Sequence, residues 1–135
     1  MTGPNDDAEL ARELGRELDR ELERVADRLR VLGPRLAARA RTADAENTAD
    51  AENTADGVEE GAGALGLVRH VLRTLAELSA DAEGSPRRPV PQLAPHALGD
   101  QLLVLGHDLL AVTDGHPRER RAGLTALVDL RRSLP

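Results

Sequence analysis

The side chains best suited to chemistry lie on one predicted helix, over residues 96–113. Asp100 and His107 are seven residues apart and project almost together, with Gln101 and Asp108 beside them. A carboxylate beside an imidazole could transfer protons or supply two metal ligands. The signal is not specific, because the spacings His-x-x-x-His and Glu-x-x-His occur nowhere in the chain. The simpler interpretation is the solvent side of an amphipathic helix, or a polar contact within the fold.

A second candidate is the group of arginines in the predicted last helix, over residues 117–133. Arg118, Arg120 and Arg121 lie near its start, and Arg131 and Arg132 near its end. Such a patch could bind phosphate or an acidic partner, but the last two also complement the helix dipole on a solvated face. A helix-turn-helix fits poorly, since the presumptive recognition helix has no Asn, Gln or Lys. We therefore do not expect nucleic acid to be the partner.

Composition excludes several classes of chemistry. The 135 residues include no Cys, Lys, Ile, Phe, Tyr or Trp, and all 18 basic residues are Arg. Thiol catalysis, thiolate metal sites, Schiff bases and base stacking are therefore excluded. The polar N-terminus does not resemble a secretory signal, and the longest apolar run, Leu102 to Leu105, is far short of a membrane span. We expect a cytoplasmic protein with no enzymatic activity, no cofactor, no metal and no membrane partner.

The acidic charge is concentrated in one stretch. Residues 42–64 carry seven acids and no arginine, against a net charge of −6 for the whole chain. Within them, residues 42–56 are a tandem repeat of Thr-Ala-Asp-Ala-Glu-Asn, whose period of six matches neither helix nor strand. Alanine alone buries too little surface to offset ordering entropy. We interpret 42–56 as a low-complexity linker, with an acidic interaction arm as the alternative.

The N-terminal segment, residues 1–41, predicts a long amphipathic helix, whose pattern runs over residues 6–32. Asp6 suits its N-cap, and Glu and Arg alternate along its surface. From Leu18 to Leu36 the apolar spacing becomes the a/d heptad pattern of a coiled coil. Gly33-Pro34 should stop or kink this helix, or Pro34 could open a short continuation through Arg41.

Residues 57–135 predict three more helices, over about 57–80, 96–113 and 117–133. A proline-containing loop over residues 81–95 separates the first two and suggests a stiff crossover. No strand is predicted. The expected fold is all-α and one domain overall: an antiparallel bundle of about four helices with a long, coiled-coil-like first helix.

The first helix, at about 40 Å, is longer than the third, at about 27 Å, so part of its apolar stripe should lack a partner within the monomer. The leading hypothesis is therefore a non-enzymatic helical interaction or scaffold protein that forms a homo-oligomer through the first helix. The alternatives are a nucleic-acid-associated regulator using the C-terminal arginines, and a small helical enzyme or metal protein centred on Asp100 and His107. The candidate interaction residues are Leu18, Leu22, Val25, Leu29, Leu32, Leu36, Arg118, Arg120 and Arg121.

Overall fold

The computed structural model describes residues 4–49 and 61–135, and these residues form an all-α fold. The helices are α1 (Pro4–Ala49), α2 (Gly61–Glu83), α3 (Leu98–Val112) and α4 (Pro117–Ser133), with a short 3-10 turn at Pro95–Ala97 before α3. No strand occurs in the described ranges. The predicted all-α class is confirmed.

The first helix is longer than the sequence predicts at both ends. It begins at Pro4, so Asp6 lies in its first turn and is not the N-cap. It also continues through Pro34, so of the alternatives predicted at Gly33-Pro34 the stop is wrong. Proline has no N–H to donate to the backbone carbonyl one turn earlier in the helix. Because Pro34 is exposed, water can donate to that carbonyl instead, while Leu32 and Leu36 on either side are buried. The helix takes in residues 42–49 of the predicted linker; residues 50–56 lie outside the described residues.

The apolar stripe of α1 is covered within the single chain. Its six heptad residues are 0–3% exposed and share one core with leucines and valines of the other three helices. The expectation that part of this stripe is unpaired in the monomer is wrong, because α3 is not its only cover. The turn before α3 extends the contact, with Pro95 and His96 lying against Gly33.

Helices α3 and α4 pack on α1 in opposite directions. Along α3, Gly99 lies against Ala26, whereas the later His107 lies beside the earlier Asp19. Along α4, the order is the same as in α1: Arg120 lies beside Ala11, Arg131 beside Glu21 and Pro135 beside Arg28. An arrangement in which all neighbours are antiparallel therefore does not describe α1 and α4.

The connection between α2 and α3 returns along α2. Gly84, with φ of +71°, turns the chain out of the helix while Ser85 N–H donates to Ala80 O at 2.8 Å. Val90 and Leu93 then line a cavity with Arg69, which lies well before the end of α2. Residues 84–94 would span about 34 Å if extended, against about 21 Å of helix from Glu83 back to Arg69. This return creates the cavity considered below.

Among the described residues, no helix combines the length and the apolar character that crossing a lipid bilayer requires.

Candidate functional site

The two residues of the predicted acid–base pair bind different residues of α1. Asp100 Oδ1 accepts a hydrogen bond from an Arg30 guanidinium nitrogen at 3.0 Å, and this bond raises the pKa of Arg30. His107 Nε2 lies 3.4 Å from Asp19 Oδ1. Two helical turns separate Asp100 from His107, about 10 Å along the axis. The two residues therefore contact α1 at separate points, and their groups do not converge on one substrate atom.

The other polar residues of that strip also have separate surroundings. Gln101 Nε2 donates a hydrogen bond to Pro91 O at 2.9 Å, which joins α3 to the returning connection. Asp108 lines a cavity of about 280 Å³ that also contains Arg88 and Glu83. The described ranges hold no cluster of His, Asp and Glu that could bind a metal ion.

The C-terminal arginines do not form one patch. Arg118, Arg121, Arg131 and Arg132 are exposed, but Arg131 binds the buried carboxylate of Glu21 on α1. Arg120 is only 7% exposed, so its assignment to an accessible interaction surface is wrong.

The burial of Arg120 has a clear cause in its hydrogen bonds. Its guanidinium donates to Thr113 Oγ1 at 3.1 Å, to Leu110 O at 3.0 Å and to Ala11 O at 2.6 Å. The first two acceptors lie at the C-terminal end of α3, where the helix dipole favours a cation. Gly15 makes room for the group, because a Cβ there would lie 2.6 Å from an Arg120 nitrogen. Arg120 thus joins α1, α3 and α4 as a structural residue.

Sequence reasoning missed a cavity of about 260 Å³ between α2, α3 and the returning connection. Two arginines of α2, Arg69 and Arg73, and Gln101 of α3 supply much of its polar lining. The apolar and remaining lining is Gly66, Leu72, Val90, Pro91, Gln92, Leu93 and Leu98. None of these residues is acidic, so the site favours an anion. The available signal was a pair of arginines about one turn apart in the apolar first half of α2.

A shallower groove of about 270 Å³ lies between α2 and α4. It contains Leu67, whose side chain is among the most exposed large apolar groups of the described residues. The full lining is Leu67, His70, Val71, Thr74, Ala126, Asp129, Leu130 and Ser133. The groove is suited to contact with another helical surface.

Comparison of the chain with protein-family models, with curated proteins and with solved structures finds no match.

Proposed function

We propose that the protein is a non-enzymatic, cytoplasmic helical interaction protein that associates with a second copy of itself through the groove between α2 and α4. The observation that carries this proposal is Leu67, which is 43% exposed although its groove is lined by Val71 and Leu130 of the buried core. The leucine seam of α1 is not the contact surface in this proposal, because it is buried within one chain.

A second copy is favoured as the occupant by the polar groups of the groove. His70 lies on α2 and Asp129 on α4, so each copy offers both a group that can become cationic and a carboxylate. In a two-fold contact, His70 of one copy can therefore face Asp129 of the other. Each copy presents the same surface, and the contact closes at two chains.

The size of the surface predicts a weak contact. α4 has 17 residues, so a face two helices wide and about 26 Å long covers on the order of 500 Å² per copy. Two such faces bury about 1,000 Å², at the lower limit for specific interfaces. We expect a reversible dimer with a dissociation constant in the micromolar range.

For the fold, we propose a four-helix bundle in which the heptad positions of α1 pack inward as in an intramolecular coiled coil. The register contacts support α3 antiparallel to α1 and α4 parallel to it. A parallel arrangement of two helices that follow each other in the chain requires a long connection, and residues 84–94, which return along α2 before α3 begins, are such a connection.

The test is absolute mass by light scattering over a concentration series, with refractive-index detection because the chain has no Trp or Tyr. We expect the mass of the wild type to rise from one chain toward two, and Leu67→Arg to remain at one chain. The matched control is Val104→Arg, since Val104 is 60% exposed on α3 and does not line the groove. A wild type of one chain throughout, or an equal response of both variants, would overturn the proposal.

A further inference from the structure

Two polar atoms are buried beside the same cavity without a hydrogen-bond partner. Arg69 Nε of α2 and Gln101 Oε1 of α3 have none in the described ranges, although both residues line the cavity between α2, α3 and the returning connection. A buried polar atom is normally paired, because its desolvation is otherwise uncompensated. One of these atoms is a donor and the other an acceptor. Together they are complementary to a ligand that carries both an acceptor and a donor.

The charge of the cavity determines which part of the ligand each atom binds. Arg69 and Arg73 are cationic, neither forms an ion pair with a described residue, and the lining contains no acidic residue. The neighbouring cavity differs, because Arg88 there is accompanied by Glu83 and Asp108. A carboxylate is the group that a guanidinium binds with matching geometry. The acceptor Gln101 Oε1 then requires a donor, and a neutral hydroxyl suits it better than an ammonium beside two arginines.

The volume and the walls define the rest of the ligand. A volume of about 260 Å³, at about 30 Å³ for each water, holds roughly nine non-hydrogen atoms. Leu72, Val90 and Leu98 provide aliphatic walls, which favour a short branched hydrocarbon chain over a polar one.

We propose that this cavity is a binding site for a small aliphatic hydroxy-carboxylate. Arg69 binds the carboxylate with support from Arg73, Gln101 accepts a hydrogen bond from the hydroxyl, and the hydrocarbon part packs on Leu72 and Leu98. Gln101 is oriented for this role, because its Nε2 donates to Pro91 O. The site is separate from the groove between α2 and α4, so it does not depend on self-association.

The test is calorimetric titration of the full chain with leucate, the hydroxy acid with the leucine skeleton, and with isocaproate, which lacks the hydroxyl. We expect leucate to bind more tightly than isocaproate. Arg69→Leu should weaken leucate binding by about tenfold or more, the contribution of a charge-assisted hydrogen bond. The matched control, Arg88→Leu, removes an exposed arginine outside this cavity and should change binding less than about twofold.

A second variant separates a ligand site from a structural contact. Gln101→Met should remove the preference for leucate over isocaproate while leaving a measurable affinity for both, because Arg69 still binds the carboxylate. This test also applies if Arg69→Leu does not fold, which circular dichroism would reveal. The proposal is overturned if the wild type binds neither acid, if Arg69→Leu folds and binds as well as the wild type, or if the preference survives in Gln101→Met.

Discussion

Buried polar groups are paired on one side of the molecule, whereas two of them are unpaired on the other. Where α4 meets α1, Arg120 donates three hydrogen bonds and the carboxylate of Glu21 binds Arg131. Where α3 meets α2 and the returning connection, Arg69 Nε and Gln101 Oε1 have no partner in the described ranges. The first side uses its polar groups to fix the positions of helices. The second leaves two of them available at a cavity.

The glycines show the same difference in packing. Gly106 of α3 faces α1, and a Cβ there would lie within 2.8 Å of Leu22 Cγ. Gly66 of α2 lines the cavity, and a Cβ there would meet no atom within 4 Å. The α1 side is therefore closely packed and the cavity side is open. Close packing and full pairing support a structural role, whereas open space with unpaired polar atoms supports binding.

The largest expected effect is that of Arg120→Leu on stability. The change removes three hydrogen bonds, leaves Leu110 O without its partner and opens space over Gly15. We expect a loss of about 2–4 kcal/mol in the free energy of unfolding, measured by urea denaturation followed by circular dichroism. The control is Arg121→Leu, an exposed neighbour, which should change it by less than about 0.5 kcal/mol. Equal effects of the two changes would remove the structural role assigned to Arg120.

An intermediate effect is expected when alanine replaces a glycine on each side. Gly106→Ala forces a methyl group onto the fully buried Leu22 side chain, which must shift within the core, so we expect a loss of about 1–3 kcal/mol. Gly66→Ala should instead gain about 0.5–1 kcal/mol from helix propensity, because its surroundings are open. Thermal and urea unfolding of the two variants measure the expected loss of stability in Gly106→Ala and the expected gain in Gly66→Ala. If both variants lose stability, the cavity side is not open as described.

The sequence alone predicts the parts of this fold that depend on local periodicity. The spacing from Leu18 to Leu36 predicted an apolar face, and those residues are indeed buried. The sequence did not predict which elements bury that face. The lengths of α1 and α3 alone suggest that α3 is too short, but the turn at Pro95–Ala97 and helix α2 also contribute to the burial of α1. The prediction of an unpaired seam failed for that reason.

The two sites depend on contacts between distant parts of the chain. The sequence predicts that Arg120 is an exposed surface charge. Its burial is explained only by its position against Gly15 and Ala11 in the fold. The cavity exists because the proline-containing connection returns along α2 and places Val90 near Arg69. No local pattern specifies that path. Pairing of Asp100 with Arg30 rather than His107 likewise follows from the register between α1 and α3.

The smallest expected effect concerns the returning connection on the cavity side. Arg87 donates two hydrogen bonds to the Asp81 carboxylate, at 3.1 and 2.8 Å, and these bonds lower the pKa of Asp81 below its ordinary value of 3.8. A carboxyl whose pKa is lowered by folding stabilises the fold above its unfolded pKa, and loses that contribution as the pH falls through the folded pKa. The contribution is therefore intact at neutral pH and lost below pH 3.8.

In Arg87→Gln, the pKa of Asp81 should rise toward 3.8, as measured by carbon NMR of the side-chain carboxyl across a pH titration. Arg88→Gln is the matched control and should leave that pKa lowered, because Arg88 is not among the partners of Asp81. An unchanged pKa in Arg87→Gln would mean that this pair does not hold the connection in solution.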